Sequence, residues 1–282
     1  MNALQRWLPR PWRHTPALPE TLWRATVSHQ PYLLALTPQE QQRLCLLSGH
    51  FLLEKQFHGA HGLEITDAMA LTVAAQACLP LLHLPGPGQR SLGTHPLSSL
   101  DWYDDFVGIV LQPGAAVAQR EVTDASGVVH RYREALAGEA MQGGPVMLSW
   151  AEVERAPVAA ESGSNVVIHE FIHKMDMRGT RLGEAADGAP DWSKTRLGTL
   201  SGELARIHWR ETMGQAFASF REALNMAERF GGDTPWLDAY GATHPGEFFA
   251  VSAEAYFVNR PKFGDEFPTL LTLYDSLFRP GN

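Results

Sequence analysis

The sequence predicts an α+β fold that is mainly helical and carries a small mixed β-sheet next to a central helix. Stretches with helical spacing occupy both ends of the segment 37–282, whereas short strand-like runs fall between residues 106 and 150. The segment 163–177, which follows these runs, is apolar on most sides and therefore indicates a buried helix. We expect the Pro-rich segment 1–36 to be an irregular N-terminal arm, and residues 37–282 to form one domain.

The first part of this domain is predicted to hold two helices. Thr37 precedes a proline and is typical of an N-cap at the start of an apolar helix. Residues 55–65 read as a turn-rich connection, and a second, alanine-rich helix covers 67–82, where Pro80 should end or kink it. Residues 83–104 contain several Gly and Pro and are expected to form a loop.

Three runs predict the small sheet: 106–111, 128–133 and 146–150. They are rich in β-branched or aromatic residues, and glycines stand before the last two. The run 146–150 comes shortly before the segment 163–177, so we expect it to be the strand that could align an extended peptide.

The C-terminal part returns to helical spacing. Residues 178–202 are poor in large apolar side chains and are expected to form a mobile surface loop, before a long helix over 203–229. Four apolar residues should line the buried face of that helix: Ile207, Phe217, Phe220 and Leu224. A last apolar helix is predicted over 245–258, and a short helix follows near the C-terminus.

Composition limits the classes of function. The formal net charge of −8 disfavours nucleic acid as a partner, although the first residues, MNALQRWLPRPWRH, are locally basic and suit a solvated arm. No apolar run is long enough to cross a membrane, and prolines and arginines interrupt the N-terminus before a signal peptide could form. Cys45 and Cys78 lie apart in apolar stretches and read as buried free thiols. We therefore expect a cytoplasmic monomer.

The most specific motif is His169-Glu170-Phe171-Ile172-His173 within NVVIHEFIHKMDM. On a helix both imidazoles lie on one face and can reach the same metal ion, with Glu170 beside it to accept a proton from water. The alternative is a surface helix with exposed polar residues, but apolar flanks favour a buried helix whose polar groups need partners. The motif therefore predicts a zinc site for peptide hydrolysis.

The third metal ligand is not fixed by spacing. Asp176 and Gly179 stand where the metzincin pattern requires Gly and His, which excludes that class. Asp176 lies too far along the helix to join both histidines comfortably, and we expect it to accept the free N–H of a ligand histidine, with a plain salt bridge as the alternative. Glu247 and Glu254 share a face of the helix 245–258, and His244 precedes it, so these three remain alternatives.

Several blocks together identify a resemblance. They are KQFHGAHGLEIT at 55–66, AAQACL, GPVMLSW at 144–150, HEFIHKMDM, and DAYGATHPGEFFAVSAEAYF at 238–257. With these blocks the chain resembles the Mlc titration factor A family, the glucose-regulated metallopeptidases of bacteria, over residues 40–275. This resemblance implies a zincin-like metallopeptidase fold.

The resemblance also implies roles for particular residues. One catalytic Zn²⁺ would be held by His169, His173 and Glu247, with Glu170 and Tyr240 as catalytic residues. The family is similar to the catalytic domain of anthrax lethal factor, where a tyrosine also precedes the ligand glutamate by seven residues. Glu254 then becomes a supporting or structural carboxylate. The segment 178–202 is longer than is usual for the family.

Two functions follow from the resemblance. The first is a zinc peptidase, aminopeptidase-like or acting by limited proteolysis, that regulates glucose uptake through the phosphotransferase system by binding the Mlc repressor. The alternative is a regulatory protein that mainly sequesters this repressor and has weak or conditional peptidase activity. An inert scaffold is disfavoured because every expected active-site residue is present.

Overall fold

A computed structural model describes the following residues: 18–87, 97–114, 116–123, 129–136, 138–178, 187–190 and 196–280. The chain begins there with two helices, α1 (Glu20–Ser28) and α2 (Pro31–Leu34). Their side chains Val27, Tyr32 and Leu33 are buried in the core. The expectation of an irregular arm is therefore wrong for this stretch, because its apolar residues pack, while residues 1–17 lie outside the described ranges.

The next two helices match their predicted starts. Helix α3 (Pro38–Glu54) begins with a capping box in which the Thr37 side chain accepts from the Glu40 backbone. Helix α4 (Asp67–Cys78) ends in a 3-10 turn that contains the expected proline, because a proline removes a helical hydrogen bond. A further 3-10 turn, Ser98–Tyr103, lies in the segment that was expected to be a loop.

Six described strands precede residue 150: one lies between α3 and α4, and the other five follow α4. They are β1 (Gln56–Gly59), β2 (Gly108–Gln112), β3 (Ala116–Thr123), β4 (Val129–Leu136), β5 (Gly138–Ala140) and β6 (Val146–Ser149). Four of them form a sheet in the order β1-β2-β6-β5, with β1, β2 and β6 parallel and β5 antiparallel to β6. Strands β3 and β4 form a separate antiparallel pair. A small mixed sheet is thus confirmed, but the run 128–133 that was predicted to belong to it forms β4 of the separate pair.

Two expectations about the sheet are wrong. Part of the 55–65 connection is strand β1, which the sequence does not reveal because glycine and histidine stand among its four residues. Strand β6 is hydrogen-bonded to β2 on one side and to β5 on the other, so 146–150 has no unpaired edge to offer a peptide. The edge strand near the central helix is instead β5.

The remaining elements are mostly helical. They are α5 (Trp150–Ala159), α6 (Val166–Met177), β7 (Arg196–Leu197), β8 (Leu200–Ser201), α7 (Gly202–Phe230), α8 (Pro245–Val258), α9 (Arg260–Glu266) and α10 (Pro268–Phe278). Helices α6, α7 and α8 fall where the sequence predicts them, whereas α5 and α9 are additional. Within α7, Phe220 is buried but Ile207 is 44% exposed, so Ile207 does not line the buried face. Residues 179–186 and 191–195 of the expected loop lie outside the described ranges.

The core surrounds α6. An aromatic cluster of Phe51, Tyr103, Phe106 and Phe171 joins α3 and the 98–103 turn to this helix. Of the two free cysteines, Cys78 is buried and Cys45 is only partly so, which corrects the expectation for Cys45. No helix in the described ranges is both long and apolar enough to cross a bilayer.

Candidate metal centre

The central helix α6 is held at its start by a buried polar network. The Asn165 side chain caps the helix by accepting from the Ile168 N–H at 2.9 Å. Its amide group donates to the Tyr32 hydroxyl and to Gln76, each at 2.8 Å. Because three elements meet at Asn165, the first turn of α6 has a fixed position and rotation.

Helices α6 and α8 bring three possible ligand atoms together. The Nε2 atoms of His169 and His173 are 3.1 Å apart. The Glu247 Oε2 atom lies 3.1 Å from Nε2 of His173 and 3.2 Å from Nε2 of His169. These three residues are a group that could hold a metal ion. The three atoms therefore form a nearly equilateral triangle.

This triangle fits the donor set of a metal ion. A tetrahedral ion with ligand bonds of about 2.0–2.1 Å has ligand atoms about 3.3 Å apart. The observed edges are 3.1 and 3.2 Å. Two imidazole nitrogens that face each other and a carboxylate oxygen all carry lone pairs, so one cation between them satisfies all three.

Electrostatics also favour positive charge at this point. Burial alone would lower the pKa of His169, but Glu254 and Glu247 outweigh it and hold this pKa well above its usual range. Burial alone would raise the pKa of Glu247, but hydrogen bonds from His169 and His173 hold it far below the usual range. Both shifts express the attraction of clustered carboxylates for a cation.

Glu254 supports the triangle from behind. One of its oxygens accepts from Nδ1 of His169 at 2.7 Å, which leaves Nε2 of that ring as the lone-pair donor. Its other oxygen accepts from the backbone N–H of Asn165 and, at 3.2 Å, from the Ser164 hydroxyl. Glu254 thus fixes the orientation of one imidazole and binds the start of α6 to α8.

The other two candidates have different partners. Asp176 accepts from the backbone N–H groups of Gly188 at 2.9 Å and Ala189 at 3.2 Å, so it holds a connecting segment against α6. The expected bond from a ligand histidine to Asp176 is not among its contacts, because the carboxylate turns toward these N–H groups instead. His244 caps α8 by accepting from the Gly246 N–H at 3.1 Å and lies outside the triangle.

Glu170 lies beside the triangle in a tight space. It is buried, and within the described ranges its Oε2 atom has no hydrogen-bond partner. A Cβ atom placed on Gly138 of strand β5 would stand 2.5 Å from Oε1 of Glu170, so any larger residue there would force Glu170 or β5 to shift. Burial raises the pKa of Glu170 to about 7. This value suits a group that accepts and returns a proton.

Tyr240 approaches the same place from the turn before α8. It belongs to the 3-10 turn Ala239–Ala242, which begins where the Asp238 side chain accepts from the Tyr240 N–H at 2.9 Å. The Tyr240 ring centroid is 6.3 Å from that of His169. The turn therefore places a half-buried phenol next to the histidine pair.

Sequence reasoning missed several residues that position this site. Asn165 has a recognisable signal, because asparagine before an apolar helix is a typical N-cap. Gly138 carries no such signal, since its constraint comes from a side chain in another element. Lys174 also has none: its buried ammonium donates to the Met141 carbonyl at 2.8 Å and pairs with Asp105 at 3.0 Å, which holds the turn after β5 against α6.

Comparison with known proteins agrees with this geometry. The family model of the glucose-regulated metallo-peptidase M90 matches residues 4–279. The Mlc titration factor A of Cronobacter sakazakii is 31% identical over 262 residues, which cover 92% of this chain and 87% of that protein. Those of Escherichia coli O7:K1 and Shigella flexneri serotype 5b are each 32% identical over 265 residues, with the same coverage. A metal ion is implied by the family, and the chain belongs to the glucose-regulated metallo-peptidase M90 family.

Proposed function

We propose that this chain is a zincin-like zinc peptidase of the gluzincin type, which cleaves peptides in an aminopeptidase-like manner or by limited proteolysis. The supporting observation is the triangle of His169, His173 and Glu247 atoms with the buried Glu170 beside it. Two imidazoles and one carboxylate form a ligand set typical of catalytic zinc, which keeps one position open. When bound there, zinc polarises the scissile carbonyl and makes water more acidic.

The residues around the triangle have separate roles in the reaction. Glu170 accepts a proton from the attacking water and passes it to the leaving amine as the C–N bond breaks. Tyr240 donates a hydrogen bond to the oxygen of the tetrahedral intermediate, where negative charge develops, a contribution of about 2–4 kcal/mol for a well-placed donor. Glu254 holds the His169 ring in one tautomer throughout.

The edge of β5 is the best support for an extended peptide. Within the described ranges it pairs only with β6, and Gly138 within it contacts the Glu170 side chain closely. A peptide that adds as the next strand would bring its carbonyl groups past Glu170. This assignment replaces the strand at 146–150.

Replacement of the proposed base tests the mechanism. Glu170→Gln keeps the size of the side chain but cannot accept a proton, so zinc content should stay the same while peptide cleavage falls at least about 100-fold. Zinc is measured by mass spectrometry and cleavage with a peptide library. The control is Glu228→Gln, an exposed position on α7, which should match the unmodified chain. Normal cleavage by Glu170→Gln would reject the mechanism.

A second function is favoured by the relatives, which are named Mlc titration factor A. In this alternative the chain mainly sequesters an Mlc-type repressor and so regulates glucose uptake, with weak or conditional peptidase activity. Repressor binding by the Glu170→Gln variant separates the two. Full binding with lost cleavage would show that sequestration does not need catalysis, and absence of binding by both proteins would reject this partner.

A further inference from the structure

A second candidate site lies at the other end of the two central helices. A cavity of about 670 Å³ is bordered by Tyr256 and Phe257 in the last turn of α8 and by Tyr32 of α2. Tyr256 stands nine residues after Glu247, which is about 14 Å along a helix axis. The cavity is therefore separate from the metal centre, and its volume lies within the usual range of about 300–1,000 Å³ for small-molecule sites.

The wall of this cavity is largely apolar. Leu36 follows α2, Leu79 and Leu82 follow α4, and Phe257 and Phe278 come from α8 and α10. Four separate elements thus contribute aliphatic or aromatic side chains to one concave surface. Such a surface suits the hydrocarbon or ring of a ligand, because both gain free energy when they leave water.

Two guanidinium groups stand at the same wall. Arg279 lies 4.0 Å from its ion-pair partner Glu40, while Glu40 already accepts from Thr37 and contacts His83 at 2.9 Å. The Arg279 side chain is 30% exposed, so it is neither fully solvated nor closely paired. It is available to a second anion.

Arg260 is the other guanidinium. Its Nη2 atom donates to Asp275 at 2.7 Å, but its buried Nη1 atom has no hydrogen-bond partner within the described ranges. A buried N–H group without a partner is costly, and an anionic ligand would relieve that cost. Arg260, Arg279 and Glu40 line the cavity, and the adjacent Asp275 pairs with Arg260, so the formal charges balance and the Nη1 atom left unpartnered among the described residues is what favours an anion.

We propose that this cavity binds a small organic anion with an apolar body, such as a medium-chain carboxylate. The anionic group accepts a hydrogen bond from Nη1 of Arg260 near Arg279, and the apolar body lies against the Leu and Phe side chains of the wall. This charge-assisted hydrogen bond selects an anion over a neutral or cationic ligand of the same shape. The site is distinct from the peptidase site and does not depend on its metal.

Calorimetric titration with decanoate tests this site, with decanol as a neutral analogue. Decanoate should bind with one molecule per chain and at least about tenfold more tightly than decanol, because a charge-assisted contact is worth about 1.4 kcal/mol or more. Arg279→Gln should weaken decanoate about tenfold. Leu36→Trp, which fills part of the cavity, should weaken both ligands.

The matched control is Arg229→Gln, which removes an exposed arginine at the end of α7 and should leave the affinity unchanged. Thermal melts of all variants show whether the fold is intact. The proposal is overturned if no saturable decanoate binding occurs, if decanol binds equally well, or if Arg279→Gln has no effect in a folded protein. Loss of binding as protein concentration rises would assign the cavity to a second copy of the chain instead.

Discussion

Helix α8 carries a half-buried glutamate in its first turn and a buried glutamate two turns later, and the two have different partners. Glu247 in the first turn has a side chain that is 22% exposed, and it faces the Nε2 atoms of both histidines. Glu254, two turns later, is 6% exposed and accepts hydrogen bonds from His169, Asn165 and Ser164. The same residue type on the same helix face thus has a partly open and a closed environment.

This difference teaches how one helix can serve two purposes. A carboxylate with few fixed donors and some solvent access can take an exchangeable cation as its main partner. A carboxylate that already accepts three hydrogen bonds has a structural role, since its removal leaves buried donors unpaired. Under the proposed function, Glu247 therefore serves the metal and Glu254 serves the position of His169 and α6.

The largest effect is expected from Glu247→Gln. An amide lacks the negative charge of the carboxylate, so zinc affinity should fall by at least about 100-fold and cleavage should disappear with it. The melting temperature of the metal-free protein should also fall, because the carboxylate that accepts hydrogen bonds from both histidines is lost. Zinc affinity is measured by competition with a chelator, with Glu228→Gln as the control. Retained affinity would show that Glu247 is not a ligand.

Glu254→Gln should lower both the free energy of unfolding and the zinc affinity, each by a moderate amount. The amide replaces one acceptor with a donor next to the N–H of Asn165 or Nδ1 of His169, so a buried donor loses its partner. We expect unfolding free energy to fall by about 1–3 kcal/mol and zinc affinity by about 10–100-fold. Denaturant unfolding without metal and chelator competition measure the two. An unchanged free energy of unfolding would contradict the structural role of Glu254.

Gly138→Ala acts on the site without touching α8. The added Cβ would stand 2.5 Å from Oε1 of Glu170, so Glu170 or strand β5 must shift. Cleavage should fall about tenfold or more while zinc content stays unchanged, because a misplaced base is inefficient. Gly114→Ala is the matched control, since a Cβ there has no atom within 4 Å. Equal activity of both variants would show that the contact does not matter.

The smallest effect is expected at Asp275 of α10, which accepts a hydrogen bond from Tyr256 near the C-terminal end of α8. Burial raises the pKa of Asp275, but hydrogen bonds from Arg260 and Tyr256 outweigh it and lower this pKa overall. Its stabilising contribution is therefore present above the usual carboxyl pKa and is lost as the pH falls through the lowered value. Because the pair with Arg260 is about a third exposed and screened by solvent, Asp275→Asn should cost about 0.2–1 kcal/mol at pH 7. Melting temperatures at pH 7 and in acid check this, and a difference that grows in acid would contradict it.

The sequence predicts this site unevenly. Local signals work well: the N-cap and proline at Thr37, the helix over 245–258, and the spacing of His169 and His173 all follow from rules within one element. Signals that cross elements fail. Strand β1 forms because it pairs with β2, and β6 is an interior strand because β5 pairs with its other side. The residues of a strand do not show which strands it will pair with.

The sequence alone determined helices α3, α4, α6, α7 and α8, the presence of a small mixed sheet and the pair of histidines with a glutamate between them, because these depend on capping, periodicity and helical spacing. It also carried the family resemblance. Only the tertiary structure decided which of Glu247, Glu254 and His244 reaches Nε2 of both rings. The packing of α8 against α6 places Glu247 there. The same is true of Gly138 and of the arginine-lined cavity, because contacts between distant segments depend on packing in three dimensions.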